Sequence, residues 1–248
     1  MKFLFAFLAA AITLSSLAPA AEDYEARVIA ANKALQEAKK KSDQDYLAEM
    51  DKQGHALLKD FPDKEDAYQL LYMVALNSGP EKTRALIADL SSDKAPAEYR
   101  ERAKNLAKIL DRLGKPLDLK FKAIDGREVD VAAMSGKVVL VDFWATWCAP
   151  CVAELPNVKA AYEKLHPKGF EIVGISFDED KGQLEEFIKS KEITWPQYFD
   201  GKAWQNFLAQ QYGIQVIPVM WLVDKKGNLV DVNARPGLAE KVEKLLAE

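Results

Sequence analysis

The segment Asp142–Pro156, DFWATWCAPCVAELP, contains both cysteines of the chain, Cys148 and Cys151, which are separated by two residues. A continuous apolar run from 138 to 145 precedes them, as is typical of a buried β-strand. Residues 152–165 carry apolar side chains at helical spacing. The sequence therefore predicts that the cysteines lie where a buried strand turns into a helix.

Two cysteines at this spacing can form a cross-link, contribute to a metal site or act as a redox pair. A cross-link over so short a loop would stabilise the fold by only about 2 kcal/mol through chain entropy. Zinc sites need about four ligands, and neither His55 nor His166 has metal-ligand spacing to the pair. We therefore predict no metal site, and we interpret both histidines as surface or capping residues.

The predicted helix start favours redox chemistry. Unpaired backbone N–H groups and the helix dipole stabilise a thiolate there. Cys148 lies nearer the open end of the helix and is the predicted nucleophile, whereas Cys151, one turn further in, is the predicted resolving thiol. Between them Ala149 and Pro150 form the active-site loop, and a proline suits a first helical turn. The pair itself is the expected redox group, with no further cofactor.

These residues resemble the thioredoxin superfamily, in particular the exported thiol-disulfide oxidoreductases of the TlpA and ResA type. The resemblance rests on GKVVLVDFWATWCAPC at 136–151, on Glu154-Leu155-Pro156 and on Val216-Ile217-Pro218, and it covers about residues 114–248. It implies an α/β thioredoxin-like fold, with a mixed central sheet, flanking helices and an N-terminal β-hairpin. It also implies that Pro218 is cis beside the cysteines and that the backbone of Ile217 pairs with substrate. Trp147 is expected to cover the nucleophile and to form part of the substrate platform.

Two carboxylates are candidates for the proton acceptor of Cys151. Asp142 interrupts an apolar strand, where burial should raise its pKa. Glu154 follows Cys151 by three residues and so lies on the same helical face. The resemblance supports either residue, because thioredoxins have the buried aspartate and ResA-type chains a functional glutamate. The segment 174–178 lacks the lysine that usually accompanies that aspartate.

The direction of electron flow is predicted from the active-site loop. Ala149-Pro150 contains no histidine that would further stabilise the thiolate, and Ile217 before the proline also resembles thioredoxin. Both features favour a reductant of disulfides in exported client proteins. Because the extracytoplasmic environment is oxidising, such a reductant needs a membrane thiol donor, which we expect to be of the DsbD or CcdA type. Relatives are often assigned to cytochrome c maturation, but no residue here recognises haem.

Besides the reductant, three interpretations remain open: an oxidase, an isomerase and an adaptor. The same fold can act as a disulfide oxidase or isomerase, and the helical part could make the protein a non-enzymatic client-binding redox adaptor. A thiol peroxidase is disfavoured, since peroxiredoxins have threonine and proline where this chain has Ala145 and Val141.

The amino terminus predicts export. An apolar run from Phe3 to Leu14 follows Lys2 and is too short for a membrane span, while Ala18 and Ala20 suit a cleavage site. We predict a signal peptide at 1–20 and a soluble periplasmic or otherwise extracytoplasmic product. The net charge of −4 does not suggest nucleic acid or an anionic membrane surface as a partner.

Beyond the leader, the sequence predicts a helical domain at 21–113 and a thioredoxin-like domain at 114–248. In the first domain, helices are predicted at 23–59, with a break at 39–43, and at 64–77, 80–90 and about 99–113. In the second, a hairpin turns at Asp125-Gly126. Strands are predicted at 137–145, 171–177, 218–224 and 228–233, and helices at 148–165, 181–191, 203–212 and 237–247.

Overall fold

A computed structural model describes the backbone of residues 18–248 and the side chains from Asp23 onward. The predicted signal peptide falls mainly on residues 1–17, which lie outside the described residues, so it stays a prediction. The chain divides into two compact units between Val74 and Ala75. No helix in the described part of the chain is long and apolar enough to cross a membrane.

The first unit is helical. It contains α1 (Ala18–Lys39), α2 (Asp43–Asp60) and most of α3 (Glu65–Asn77). The predicted break in the long first helix is confirmed, because Ser42 Oγ accepts the backbone N–H of Asp45 at 3.0 Å and so caps α2. Gly54 lets α2 and α3 approach closely, since a Cβ atom there would lie 2.8 Å from Leu71 Cδ2.

The second unit begins at Ala75 and contains α4 (Pro80–Leu90) and α5 (Ala97–Leu110). Helix α5 buries Tyr99, Ala103, Leu106 and Leu110, as their spacing predicts. Helix α5 is tied to the residues that follow it. The guanidinium of Arg112, just after the helix, lies 5.0 Å from the ring centroid of Tyr212, and Gly114 N donates to Leu229 O at 2.8 Å. Contacts thus group α4 and α5 with the α/β residues, and the domain boundary at 113/114 stays a prediction.

The α/β part has the predicted amino-terminal hairpin, β1 (Lys120–Lys122) paired antiparallel with β2 (Glu128–Asp130). A mixed five-stranded sheet follows in the order β5-β4-β3-β6-β7. Its strands are β3 (Val138–Trp144), β4 (Phe170–Ser176), β5 (Gln197–Tyr198), β6 (Val219–Val223) and β7 (Leu229–Asp231). The central strand β3 runs parallel to β4 and antiparallel to β6, and every residue of β3 is buried.

Four helices accompany the sheet: α6 (Ala149–Leu165), α7 (Lys181–Ser190), α8 (Phe207–Tyr212) and α9 (Leu238–Ala247). This is the predicted thioredoxin-like architecture. The prediction of one continuous helix at 203–212 is wrong. A 3-10 turn at Ala203–Gln205 precedes α8, because Asn206, with ψ of 126°, leaves helical geometry and caps α8 by accepting the N–H of Ala209. Strand β5, only two residues long, was not predicted.

Candidate active site

The two cysteines form a disulfide at the start of α6. Cys148 is the N-cap residue, and its Sγ accepts the backbone N–H of Cys151 at 3.3 Å. Pro150 lies in the first helical turn, as predicted. Both cysteines are buried: Cys148 is 5% exposed and Cys151 is 6% exposed. A backbone donor aimed at the Cys148 sulfur stabilises negative charge on that atom when the pair is reduced.

Trp147 forms the exposed edge of this site. Its side chain is 52% exposed although Cys148, the next residue, is buried. Its ring lies 6.0 Å from that of Trp204, which in turn lies 5.2 Å from the buried ring of Phe177. A partner approaching the disulfide therefore meets aromatic surface.

Pro218 lies at the same end of the sheet. Val219, the next residue, pairs with Phe143 near the end of β3, so Pro218 is close to the point where β3 leads into the disulfide loop. The Ile217–Pro218 peptide bond is cis, as the resemblance implies. Both residues are partly exposed. The pairing of Ile217 with substrate stays a prediction.

The two candidate proton acceptors differ in environment. Asp142 is buried in β3, and its Oδ1 has no hydrogen-bond partner among the described residues. Burial, and to a smaller extent the charge of Glu154, raise the pKa of Asp142 to about 7. Glu154 is partly exposed and accepts a hydrogen bond from Asn157 Nδ2 at 3.1 Å. A pKa near 7 suits Asp142 to exchange a proton near neutral pH.

Comparisons with known proteins agree with this geometry. Residues 114–232 match the model of the AhpC/TSA family. The thiol-disulfide oxidoreductase ResA of Bacillus thuringiensis subsp. konkukian is 29% identical over 123 residues, 50% of this chain and 69% of the relative. The protein of the same name from Geobacillus thermodenitrificans is 31% identical over 112 residues, 45% of this chain and 63% of the relative. Residues 114–232 form a thioredoxin-like thiol-disulfide oxidoreductase domain.

A solved structure supports the fold of the thioredoxin-like domain. The C-terminal domain of a Bacteroides thetaiotaomicron protein described as a thiol-disulfide oxidoreductase superposes with a TM-score of 0.50 at 27% identity. The match covers 54% of this chain and 96% of that domain. Helices α1 to α5 all end before residue 114 and so lie outside the family match, which informs only the carboxy-terminal part of the chain.

The thioredoxin-like domain also contains a buried polar network that the sequence did not reveal. Asp178, just beyond β4, accepts hydrogen bonds from the backbone N–H and the hydroxyl of Thr146 and from Ser176 Oγ. Asn206 Nδ2 donates to Ser176 O at 2.9 Å. The network ties the residue before Trp147 to the start of α8. In the sequence, only Asp178 indicates this network, because it is a carboxylate that closely follows a buried strand. Binding sites in α/β sheets form at the carboxyl ends of strands.

A second unpredicted residue is Gln197 in β5. Its Oε1 accepts the indole N–H of Trp144, two residues after Asp142, at 2.8 Å. Gln197 is 1% exposed.

Within residues 18–248 no group of three or more His, Cys, Asp or Glu residues is arranged to hold a metal ion. His166 ends α6, where its Nδ1 lies 3.0 Å from Phe170 O.

Proposed function

We propose that this thioredoxin-like protein reduces disulfide bonds in exported client proteins. The observation that carries the proposal is the position of Cys148 as the N-cap residue of α6, with a backbone donor on its sulfur and Trp147 exposed beside it. Ala149-Pro150 adds no further cation to stabilise the thiolate, and a less stabilised thiolate favours the reducing direction. The disulfide is the redox group, and the reaction uses no other cofactor.

The reaction proceeds by dithiol-disulfide exchange. The Cys148 thiolate attacks a client sulfur, the client disulfide breaks, and one client thiolate leaves. Cys151 loses its proton to Asp142 and attacks Cys148 in the mixed disulfide, which restores the protein disulfide and releases the second client sulfur as a thiolate that takes a proton from solvent. Asp142 fits this role because it is buried and its Oδ1 has no hydrogen-bond partner among the described residues. Glu154 acts on the step indirectly, since its charge raises the pKa of Asp142.

Recycling needs an electron source outside the cytoplasm. The predicted signal peptide supports an extracytoplasmic location, and there the reduced pair is regenerated by a membrane thiol donor of the DsbD or CcdA type. Deleting the donor should therefore shift the pair to the oxidised form, which thiol labelling of the protein in cells measures.

The decisive experiment is covalent trapping with full-length protein. Cys151→Ala should retain clients as mixed disulfides on Cys148, and reducing agent should release them. Cys148→Ala is the matched control and should retain none. Absence of captured protein with Cys151→Ala would refute the scheme. The redox potential of the pair tests direction, because a high potential together with a mostly oxidised pair in cells would favour an oxidase instead.

A further inference from the structure

An aromatic surface continues outward from the disulfide. It contains Trp147 and Trp204, which are 52% and 42% exposed, and the segment that carries Trp204 also exposes Phe207, at 63%. Trp147 and Trp204 are neighbours, with ring centroids 6.0 Å apart, and Phe207 follows Trp204 by three residues. Exposed large apolar side chains grouped beside a reactive centre mark a surface that binds a partner.

Trp204 is held in place from the protein side. Its ring packs edge-on against Phe177 at 5.2 Å, and Phe177 is fully buried just after β4. The carbonyl of Trp204 accepts a hydrogen bond from Gln210 Nε2 at 2.7 Å. A ring fixed in this way loses little conformational freedom when it binds, so its contacts contribute more fully to affinity.

The segment that carries Trp204 and Phe207 is anchored on both sides. Asp200 accepts the backbone N–H of Lys202 at 3.1 Å and that of Phe207 at 2.8 Å. Asn206, fully buried between the two aromatic residues, binds Ser176 O. The aromatic surface is therefore part of the folded framework around the disulfide.

We propose that the aromatic surface binds a bulky apolar side chain two residues away from the reacting cysteine of a client polypeptide. The inference rests on the proposed function, because the client is the molecule whose sulfur must reach Cys148. In an extended chain, side chains two residues apart lie on one side and are separated by roughly 6.6 Å. On the protein side, Trp147 is the residue next to Cys148, and its ring lies 6.0 Å from that of Trp204. A client sulfur beside Trp147 thus brings a neighbouring side chain onto Trp204.

The inference can be tested with three synthetic peptides. Each contains one intramolecular disulfide, and they differ only in the residue two positions after the first cysteine, which is Phe, Ser or Lys. Reduced full-length protein passes two electrons to the peptide, so its dithiol becomes a disulfide and the peptide disulfide becomes a dithiol. Chromatography of acid-quenched samples gives the second-order rate constant for each peptide.

The wild type should reduce the Phe peptide about tenfold faster than the Ser peptide, a difference that one apolar ring contact can supply. Trp204→Ala should remove that preference and leave the Ser peptide within about twofold of the wild-type rate. Trp204→Phe retains a ring and should keep most of the preference. Val230→Ala is the matched control, since Val230 is an exposed apolar residue on β7.

Other results would overturn the inference. Equal wild-type rates for the Phe and Ser peptides, or a preference for Lys through a cation–π contact, would show that the surface does not select apolar clients. If Trp204→Ala lowered the rate constants for all peptides and for oxidised glutathione by the same factor, Trp204 would act only by supporting the structure around the disulfide. A dimer that Trp204→Ala dissociates, with no change in peptide rates, would assign the surface to a second copy. If the wild type reduced neither peptides nor glutathione, the proposed function itself would fail.

Discussion

Gln197 lies across Gly174: a Cβ atom built on Gly174 would be 1.9 Å from Gln197 Oε1. Gly174 is the β4 partner of Asp142 in the strand register, and Gln197 is the β5 partner of Gly174. Side chains of paired residues point to the same face of a sheet. The glutamine therefore occupies, beside Asp142, the volume in which a longer side chain at position 174 would lie. A lysine at position 174 would have no room beside Asp142 while Gln197 occupies this volume.

Gly174→Ala should destabilise the oxidised protein by roughly 1–3 kcal/mol, because it overfills a packed site. Gln197 cannot simply turn away, since it would leave the buried indole N–H of Trp144 without its acceptor. Urea denaturation measures the change in the free energy of unfolding.

A double-mutant cycle supplies the control for this prediction. In the Gln197→Ala background the space above Gly174 is open, so adding Gly174→Ala should cost little. An equal loss of stability in both backgrounds would show that Gln197 does not restrict position 174.

Asp142 should make the folded protein less stable as the pH rises. Burial, followed by the charge of Glu154, raises the pKa of Asp142 from 3.8 to about 7. Between those values the folded protein holds a proton that the unfolded chain has released, so the free energy of unfolding falls until about pH 7 and then levels off. Relative to Asp142→Asn, the wild type should lose about 2 to 3 kcal/mol between about pH 5 and about pH 8. Urea denaturation of both oxidised proteins gives the difference.

The comparison with Asp142→Asn is needed because other carboxylates titrate in the same experiments. Hydrogen bonds from Gln53 and Lys52 lower the pKa of Glu49, and one from Arg127 lowers the pKa of Asp125. Such groups act in the opposite direction, losing stability as the pH falls. They are the same in both proteins and cancel in the difference. A difference that does not change with pH would contradict a raised pKa for Asp142.

The two carboxylates should affect the resolving step to different extents. If Asp142 accepts the proton of Cys151, Asp142→Asn should slow release of the mixed disulfide roughly 100-fold and remove a titration near neutral pH. Glu154→Gln should retain the step, with its titration moved to lower pH, because the charge that helps to raise the pKa of Asp142 is absent. Acid-quenched single-turnover experiments over a pH series measure both effects. A larger loss with Glu154→Gln than with Asp142→Asn would reverse the assignment.

Local sequence was sufficient to locate the disulfide at a helix start and Asp142 in a buried strand. Both predictions depend on contiguous residues, an apolar run followed by helical spacing, and the structure confirms the placement. The break before α2 could likewise be predicted, since Ser42 caps the helix through a residue only three positions away.

Other parts of the site depend on contacts between distant segments. Gln197 binds Trp144 across 53 residues, and Asp178 binds Thr146 across 32. A two-residue strand such as β5 has no periodicity to detect. Trp204 lies in a segment predicted as continuous helix, and only the tertiary structure brings its ring beside Trp147.

Helix α5 should be necessary for the full stability of the thioredoxin-like domain. Ile109 and Leu113 pack against its hydrophobic core, and Arg112 contacts Tyr212. A fragment starting at Gly114 loses these contacts, whereas one starting at Ser78 retains them together with α4. Removing two partly buried aliphatic side chains costs about 2 kcal/mol, so the shorter fragment should melt roughly 5 °C lower. Thermal unfolding of the two oxidised fragments measures this, with peptide reduction as the test of a correct fold. Equal melting temperatures would place an independent domain boundary at 113/114, as the sequence predicts.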